Sequence, residues 1–222
     1  MIDLSRRATD PEQLDEGVPE HAALGSLADL RFVNRWLGGR RSLLRATLPY
    51  LDAKHPRLLD VGCGSADLPG LLVERLGSRL LAVGVDLKLL HVRQAPPGVR
   101  TVVADVQHLP FAPRSFDVVT ASLFLHHFDG AQVAQVLAAL WGLARRALVV
   151  NDLRRARVPY VFGRATFGWL FRSRVSVEDG LLSIRRAFTR DELHAAFRDA
   201  GIPSVRLARR FPYRLVAVAE RL

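Results

Sequence analysis

The sequence predicts an α/β fold in which a parallel sheet is covered by helices on both faces. Three observations carry this. From Leu58 to the C-terminus, short apolar runs alternate with amphipathic helical patterns, as strand-helix units with buried strands require. A glycine-containing turn, GCGSAD, follows the first of those runs and leads into a helical pattern. The chain has 222 residues, 49% of them apolar, which suits one good core and leaves too little for a second large domain.

Taken in order, Leu27 to Leu37 and Arg41 to Leu51 read as two helices separated by Gly38-Gly39, so residues 1–52 form an N-terminal helical extension or lid ahead of a domain at 53–222. The strands expected after it are Leu58–Val61, Leu80–Val85, Thr101–Ala104, Phe116–Ala121, Ala147–Asn151, Val205–Ala208 and Arg214–Ala219, each an apolar run bounded by turn residues. A helix is expected from about Leu68 to Leu76, directly after the glycine turn. The best helical pattern spans about Gly130 to Arg145, where Val133, Val136, Leu137, Leu140 and Trp141 form one apolar stripe. Another helix is bounded by the capping box Thr189-x-x-Glu192 and by Gly201.

Composition excludes several classes. The one cysteine, Cys63, has no partner for a disulfide and none at metal-ligand spacing, so neither a disulfide scaffold nor a zinc site is expected. The first twenty residues lack the apolar core of a signal peptide and no apolar run is long enough to span a bilayer, so a cytoplasmic protein is expected. A net charge of +10 would ordinarily point to nucleic acid or an anionic surface. Here, however, the arginines are scattered as pairs such as Arg6/Arg7, Arg145/Arg146 and Arg185/Arg186, and lysine occurs only at positions 54 and 88. Biased codon usage accounts for that as well as a binding face does, and no nucleic-acid partner is expected.

The turn after the first strand places backbone amides at a helix N-terminus, and Gly62 and Gly64 let a ligand lie against backbone. Three residues after Gly64 stands Asp67 in place of the glycine of a dinucleotide fingerprint, and its carboxylate would repel a pyrophosphate. Asp86 ends the second strand, where a carboxylate can accept both hydroxyls of a ribose. Asp105 ends the third, where a carboxylate and the Val106 amide can meet the edge of an adenine. Three carboxylates at successive strand ends suit a ligand carrying an ammonium and a sulfonium.

With these residues in place, the chain resembles the class I S-adenosylmethionine-dependent methyltransferases, in particular the small-molecule branch related to the ubiquinone and menaquinone biosynthesis enzymes. The resemblance runs from Leu58 to the C-terminus through LDVGCGSAD, VGVDL, ADVQHLPF and FDVVTASLFLHHF. It implies a Rossmann-like seven-stranded sheet, mostly parallel with an antiparallel last strand, and S-adenosyl-L-methionine as cofactor. It further implies that Asp60, Gly62 and Gly64, with Cys63 between them, hold the methionine end, Asp86 and Leu87 the ribose, and Asp105 with Val106 the adenine, while Ser122 and Leu123 line the cofactor. Ala66 departs from the pattern, standing where many members have glycine.

Rival chemistries lack their residues. A short-chain dehydrogenase needs Tyr-x-x-x-Lys, but Tyr160 is followed by Arg164. A cytosine C5 methyltransferase needs a nucleophilic cysteine, and an amino-directed one an Asn/Asp-Pro-Pro-aromatic stretch that ASLFLHHF does not contain. Methyl transfer to a small aromatic or polyketide-like hydroxyl is therefore expected, with His126 as general base and Asp152 as the alternative. Carbon or nitrogen methylation of a quinone-type acceptor or of RNA, or cofactor binding without catalysis, are the alternatives. The insertion at about 153–188 concentrates Tyr160, Phe167 and Trp169 between arginines. Together with His127 and Asn34 these are expected to line the acceptor pocket, and the arginine flanks to touch an acidic group or, peripherally, a membrane surface.

Overall fold

The computed structural model describes residues 3–221. The elements in chain order are α1 (Gln13–Glu16), α2 (Glu20–Trp36), α3 (Gly39–Thr47), β1 (Arg57–Val61), α4 (Asp67–Leu76), β2 (Leu81–Asp86), α5 (Leu89–Val92), β3 (Val99–Val103), β4 (Phe116–Ser122), α6 (Ala131–Leu143), β5 (Ala144–Leu153), α7 (Arg157–Leu170), α8 (Arg174–Arg186), α9 (Arg190–Asp199), β6 (Arg206–Arg210) and β7 (Arg214–Glu220). The strands form one sheet in the order β3-β2-β1-β4-β5-β7-β6. Strands β1 to β5 pair in parallel, and β7 runs antiparallel to both β5 and β6. This is the Rossmann-like, mostly parallel sheet expected from the sequence, with its last strand reversed. Among the described residues no helix is long and apolar enough to cross a membrane.

Alternation along each strand sends neighbours to opposite faces. Leu59, Val119, Leu148 and Leu215 pack on one side with Leu137 and Leu140 of α6 and Leu193 and Phe197 of α9. Leu58, Val118, Val149 and Val216 pack on the other with Leu43 of α3 and Leu72 of α4. The sheet order reverses between β1 and β4, so the connections after them diverge and leave a crevice at the carboxyl ends of the strands. Asp60, Ser122 and Asn151 sit at that edge.

Two stretches differ from the sequence expectation. Helix α2 begins at Glu20, seven residues before Leu27, because Ala23, Ser26 and Asp29 are already buried and α2 packs on α8; tertiary contact carries the helix through Gly25. The insertion after β5 divides into α7 and α8, with the Asp29 carboxylate accepting the amides of Arg172 and Ser173 at the break (3.0–3.1 Å). Gly38 opens α3 in the left-handed region at φ +73°, and a Cβ there would stand 2.5 Å from the Phe211 carbonyl oxygen. Only glycine fits.

The residues before α2 form an arm that lies along α8. The Asp179 carboxylate accepts the amides of Gln13 and Leu14 (2.9 and 3.0 Å). The buried Arg186 donates to the carbonyl oxygens of Thr9 (3.0 Å) and Asp10 from one nitrogen, and to those of His126 and His127 (both 2.8 Å) from the others. Arg155, also buried, donates to the Leu4 carbonyl (3.0 Å) and pairs with Glu192. Removing the buried Arg186 takes the guanidinium from the carbonyl groups of Thr9, Asp10 and His127 and leaves that of His126 to Arg7 alone, so Arg186→Ala should lose about 3 kcal/mol in denaturant unfolding. Amide exchange should rise first across residues 9–16. Unchanged exchange there would show that the arm is held by other contacts.

Candidate functional site

The crevice is built around the turn between β1 and α4. Gly62 and Gly64 adopt φ +65° and +53°. A side chain at Gly62 would run into the Phe124 ring, whose nearest atom lies 2.1 Å from an added Cβ. The turn is tied to β2 by two amides, Cys63 donating to the Val85 carbonyl (2.9 Å) and Gly64 to the Asp86 carboxylate (2.8 Å). A small pocket opens beside it, lined among others by Asn34, Arg40, Asp60, Gly62, Asp67 and Ser122. Residues from α2 and α3 thus stand opposite the strand ends.

Asp60 is buried at the end of β1 and accepts a hydrogen bond from the Thr120 hydroxyl at 2.5 Å. Burial pushes its pKa up to about 7, with Asp67 and Asp86 adding to the rise and the Thr120 bond opposing it. A carboxylate so poised wants a cation next to it. Asp86 has the opposite balance. Burial raises its pKa, but His91, whose Nδ1 stands 3.1 Å away, and the amides of Lys88 and Gly64 outweigh that and keep the group ionised. Asp105 is exposed and caps the short turn that begins at the buried Val106, taking the Gln107 amide at 2.9 Å. Leu87 is exposed beyond Asp86, Cys63 is buried under the turn, and Leu123 takes a left-handed conformation at φ +53°.

Polar groups on the same sheet face continue the row. Asn151 Nδ2 donates to the Ser122 hydroxyl (2.8 Å), while Asn151 Oδ1 has no partner. Arg214, fully buried on β7, donates to Asn34 Oδ1 (3.2 Å) and to the Leu37 carbonyl (3.3 Å), and its Nη1 has no partner. Burial pulls the Arg214 pKa down to about 10. The two orphaned groups lie at the strand ends beside a pocket that already contains two carboxylates.

The histidine pair after β4 is not free. His126 Nδ1 lies 2.7 Å from Asp152 Oδ1, and its Nε2 lies 3.3 Å from Glu12 Oε1. Burial alone would lower the His126 pKa, yet the carboxylates of Asp152 and Glu12 raise it to about 10. Both ring nitrogens thus face carboxylates, and in this arrangement neither stands free for the role of general base expected from the sequence. Asp152 is no substitute. It is wholly buried, its pKa kept low by His126 against the pull of burial, and its oxygens are spent on His126 and on the amides of His126 and Leu153. His127 is half-buried, with Nδ1 2.5 Å from Asp15 Oδ2.

The aromatic insertion spreads its side chains over two faces of α7. Tyr160 and Phe167 lie seven residues apart and share one face of α7, whereas Trp169 falls on the opposite face and is 94% exposed. Phe167 is buried against Gly163, Gly180 and Phe171, so it joins α7 to α8 and does not wall a pocket. These three side chains are not gathered at the crevice, whereas Asn34 is. Thr120, His91, Arg214, Glu12 and Asp15 escaped the sequence reading. Thr120 had a signal, as a polar residue inside the apolar run FDVVTAS; Glu12 and Asp15 had none, being more than a hundred residues from the histidines they meet.

Residues 59–147 match the family model described as a methyltransferase domain. A demethylmenaquinone methyltransferase from Roseiflexus sp. (strain RS-1) is 32% identical over 124 residues, 54% of this chain and 50% of that protein. A malonyl-[acyl-carrier protein] O-methyltransferase from Geobacter sulfurreducens is 35% identical over 164 residues, 67% of this chain and 56% of that protein. The chain spans about half the length of the curated relatives it matches. Among solved structures, a SAM dependent methyltransferase from Aquifex aeolicus superposes with a TM-score of 0.62 at 15% identity, covering 86% of this chain and 93% of the other. The plantazolicin methyltransferase BamL, in complex with a triazolic desmethylPZN analog and SAH, superposes at 0.69 with 12% identity, covering 91% and 97%. At such identities the likeness is one of fold.

A cationic ligand seated against Asp60 requires the carboxylate form. Affinity for S-adenosylmethionine should therefore rise as pH is raised through about 7, by up to about tenfold per unit below it, and level off above. Titration calorimetry from pH 5.5 to 8.5 measures this; a flat profile would remove Asp60 from contact with the ligand's charge.

Proposed function

We propose that the chain is a class I S-adenosylmethionine-dependent methyltransferase and that it moves the cofactor's methyl group to the oxygen of a small aromatic or polyketide-like acceptor. The observation that carries the donor half is the row of carboxylates at the ends of the neighbouring strands β1, β2 and β3, with the buried, cation-seeking Asp60 at its β1 end. Asp60 would face the methionine ammonium, Asp86 the ribose and Asp105 with Val106 the adenine. Residues 1–52 would act as the lid, since Asn34 and Arg40 stand across the pocket from Asp60.

The acceptor half rests on Phe124, whose ring lies against Gly62, and on Phe128 packed edge-on to it at 5.1 Å between centroids. Together they give an aromatic surface beside the glycine turn. The curated relatives support a small acceptor of this kind in two forms: one is named for methylating a demethylmenaquinone, the other for O-methylation of malonyl-[acyl-carrier protein]. A carrier-bound acyl group is thus a second reading, and the net charge of +10 would favour an acidic carrier.

Methyl transfer is an in-line displacement, so alignment and exclusion of water supply most of the rate. A neutral hydroxyl must still lose its proton. Since His126 and Asp152 are already committed to each other, transfer to a phenol should quicken as pH rises toward the phenol's own pKa near 10 and show no break in the histidine range. Labelled-methyl assays with phenolic, polyketide, quinone and carrier-bound acceptors test the reading, with the product bond assigned by NMR. An O-methyl product is expected. Label on carbon would overturn O-methylation and keep the methyltransferase, whereas cofactor binding without transfer to any acceptor would leave a binding protein. Asp86→Asn should weaken cofactor binding by about 1–3 kcal/mol with the fold intact.

A further inference from the structure

The arm and the turn after β4 bring three donor atoms to one point. Glu12, His126 and His127 each offer a ligand atom, and all of these lie within 4.8 Å of one another. Glu12 Oε1 is 3.3 Å from His126 Nε2, and Glu12 Oε2 is 3.9 Å from His127 Nε2. Neither separation is that of a close charge-assisted hydrogen bond, which would be about 2.7–2.9 Å. Both approach the spacing of about 3.3 Å that donors take at the corners of a tetrahedron with bonds of about 2.0–2.1 Å.

Each imidazole is held from behind by its own carboxylate. Nδ1 of His126 meets Asp152 at 2.7 Å, and Nδ1 of His127 meets Asp15 at 2.5 Å. Outer carboxylates of this kind fix the tautomer that frees Nε2 for a metal and orient the ring toward it. Backbone clamps complete the frame, since Arg186 donates to the carbonyl oxygens of both histidines and of the arm residues Thr9 and Asp10. The Ser183 hydroxyl, at 2.6 Å, holds Glu12 Oε1 in place. The absence of paired cysteines in the sequence excludes only a thiolate site; the donors here are nitrogen and oxygen, drawn from segments far apart in the chain.

From this convergence we propose that Glu12, His126 and His127 form a binding site for one divalent cation of the zinc class. Two imidazoles and a carboxylate suit Zn²⁺ or Co²⁺ and leave a fourth position for water or another oxygen. The ion would fasten the arm to the end of β4, and it lies apart from the carboxylates that the cofactor reading uses. The proposal therefore stands or falls without that reading.

Metal-stripped protein titrated with Co²⁺ at neutral pH should take up one ion per chain and show the strong visible bands of a four-coordinate N/O site, which Zn²⁺ then displaces. The melting temperature should rise with added Zn²⁺. His127→Ala, at the half-buried donor, and Glu12→Gln, which keeps the volume, should each weaken binding at least tenfold, and Asp15→Asn by about tenfold through the lost outer carboxylate. The exposed His194→Ala should bind as the parent does. Circular dichroism checks that each variant folds. Co²⁺ taken up without visible bands, or equally by His127→Ala and the parent, would overturn the proposal, as would no uptake at all. Affinity for S-adenosylmethionine, measured on the same samples without metal, should be unchanged in His127→Ala.

Discussion

A carboxylate withdrawn from water at the end of β1 is the constraint around which the crevice is organised. Asp60 is buried among strands, with one hydroxyl, from Thr120, as its hydrogen-bond partner. Burying an ionised group without a counter-charge costs several kcal/mol, so burial shifts the group toward its neutral form instead. The nearby geometry follows from keeping that position open. The turn after it needs glycine so that backbone passes close by, Asp86 ties the turn down through the Gly64 amide, and α2 and α3 bring Asn34 and Arg40 to the same pocket.

Electrostatics of the opposite kind organise the turn after β4. His126, Asp152 and Glu12 form a buried set in which each charge answers another. Such sets add little net stability relative to apolar packing, but breaking one partner is expensive. Their use lies in position: they bring the arm, 114 residues distant in sequence, against the turn that follows β4. The same clamp that makes His126 a poor proton acceptor makes it a rigid one, and rigidity is what a ligand to a cation, or a wall of an acceptor pocket, requires.

How much of this was legible in the sequence varies with the range of the interaction. The strands were visible because each is an apolar run buried on both faces, as at Leu58–Val61 and Phe116–Ala121, and the capping box at Thr189 appears intact in the structure. Asp60, Asp86 and Asp105 were visible because strand ends fall at regular intervals and put their side chains on one edge. Asp152 and the histidines were legible as polar residues at strand ends, whereas the contact of His126 with Glu12 was not, since Glu12 lies in a stretch without periodicity. The placement of the aromatic residues of α7 was hidden for a different reason. Their helical phase divides them between two faces, and composition alone carries no phase.

The fastening of the arm has a consequence for how this part of the sequence can drift. Its holding contacts from Arg155 and Arg186 end on carbonyl oxygens of Leu4, Thr9 and Asp10, and its first helical turn is capped through the amides of Gln13 and Leu14. A main-chain group is the same whatever side chain it carries. Selection then acts strongly on the arginines and on Asp179, which sit in the body of the protein, and on Glu12 and Asp15, whose carboxylates reach the histidines. Arg7 is held by its guanidinium, which donates to the carbonyls of Arg186, His126 and Phe128; the other intervening positions are held in space without being held in identity, so the arm can keep its course while many of its letters change.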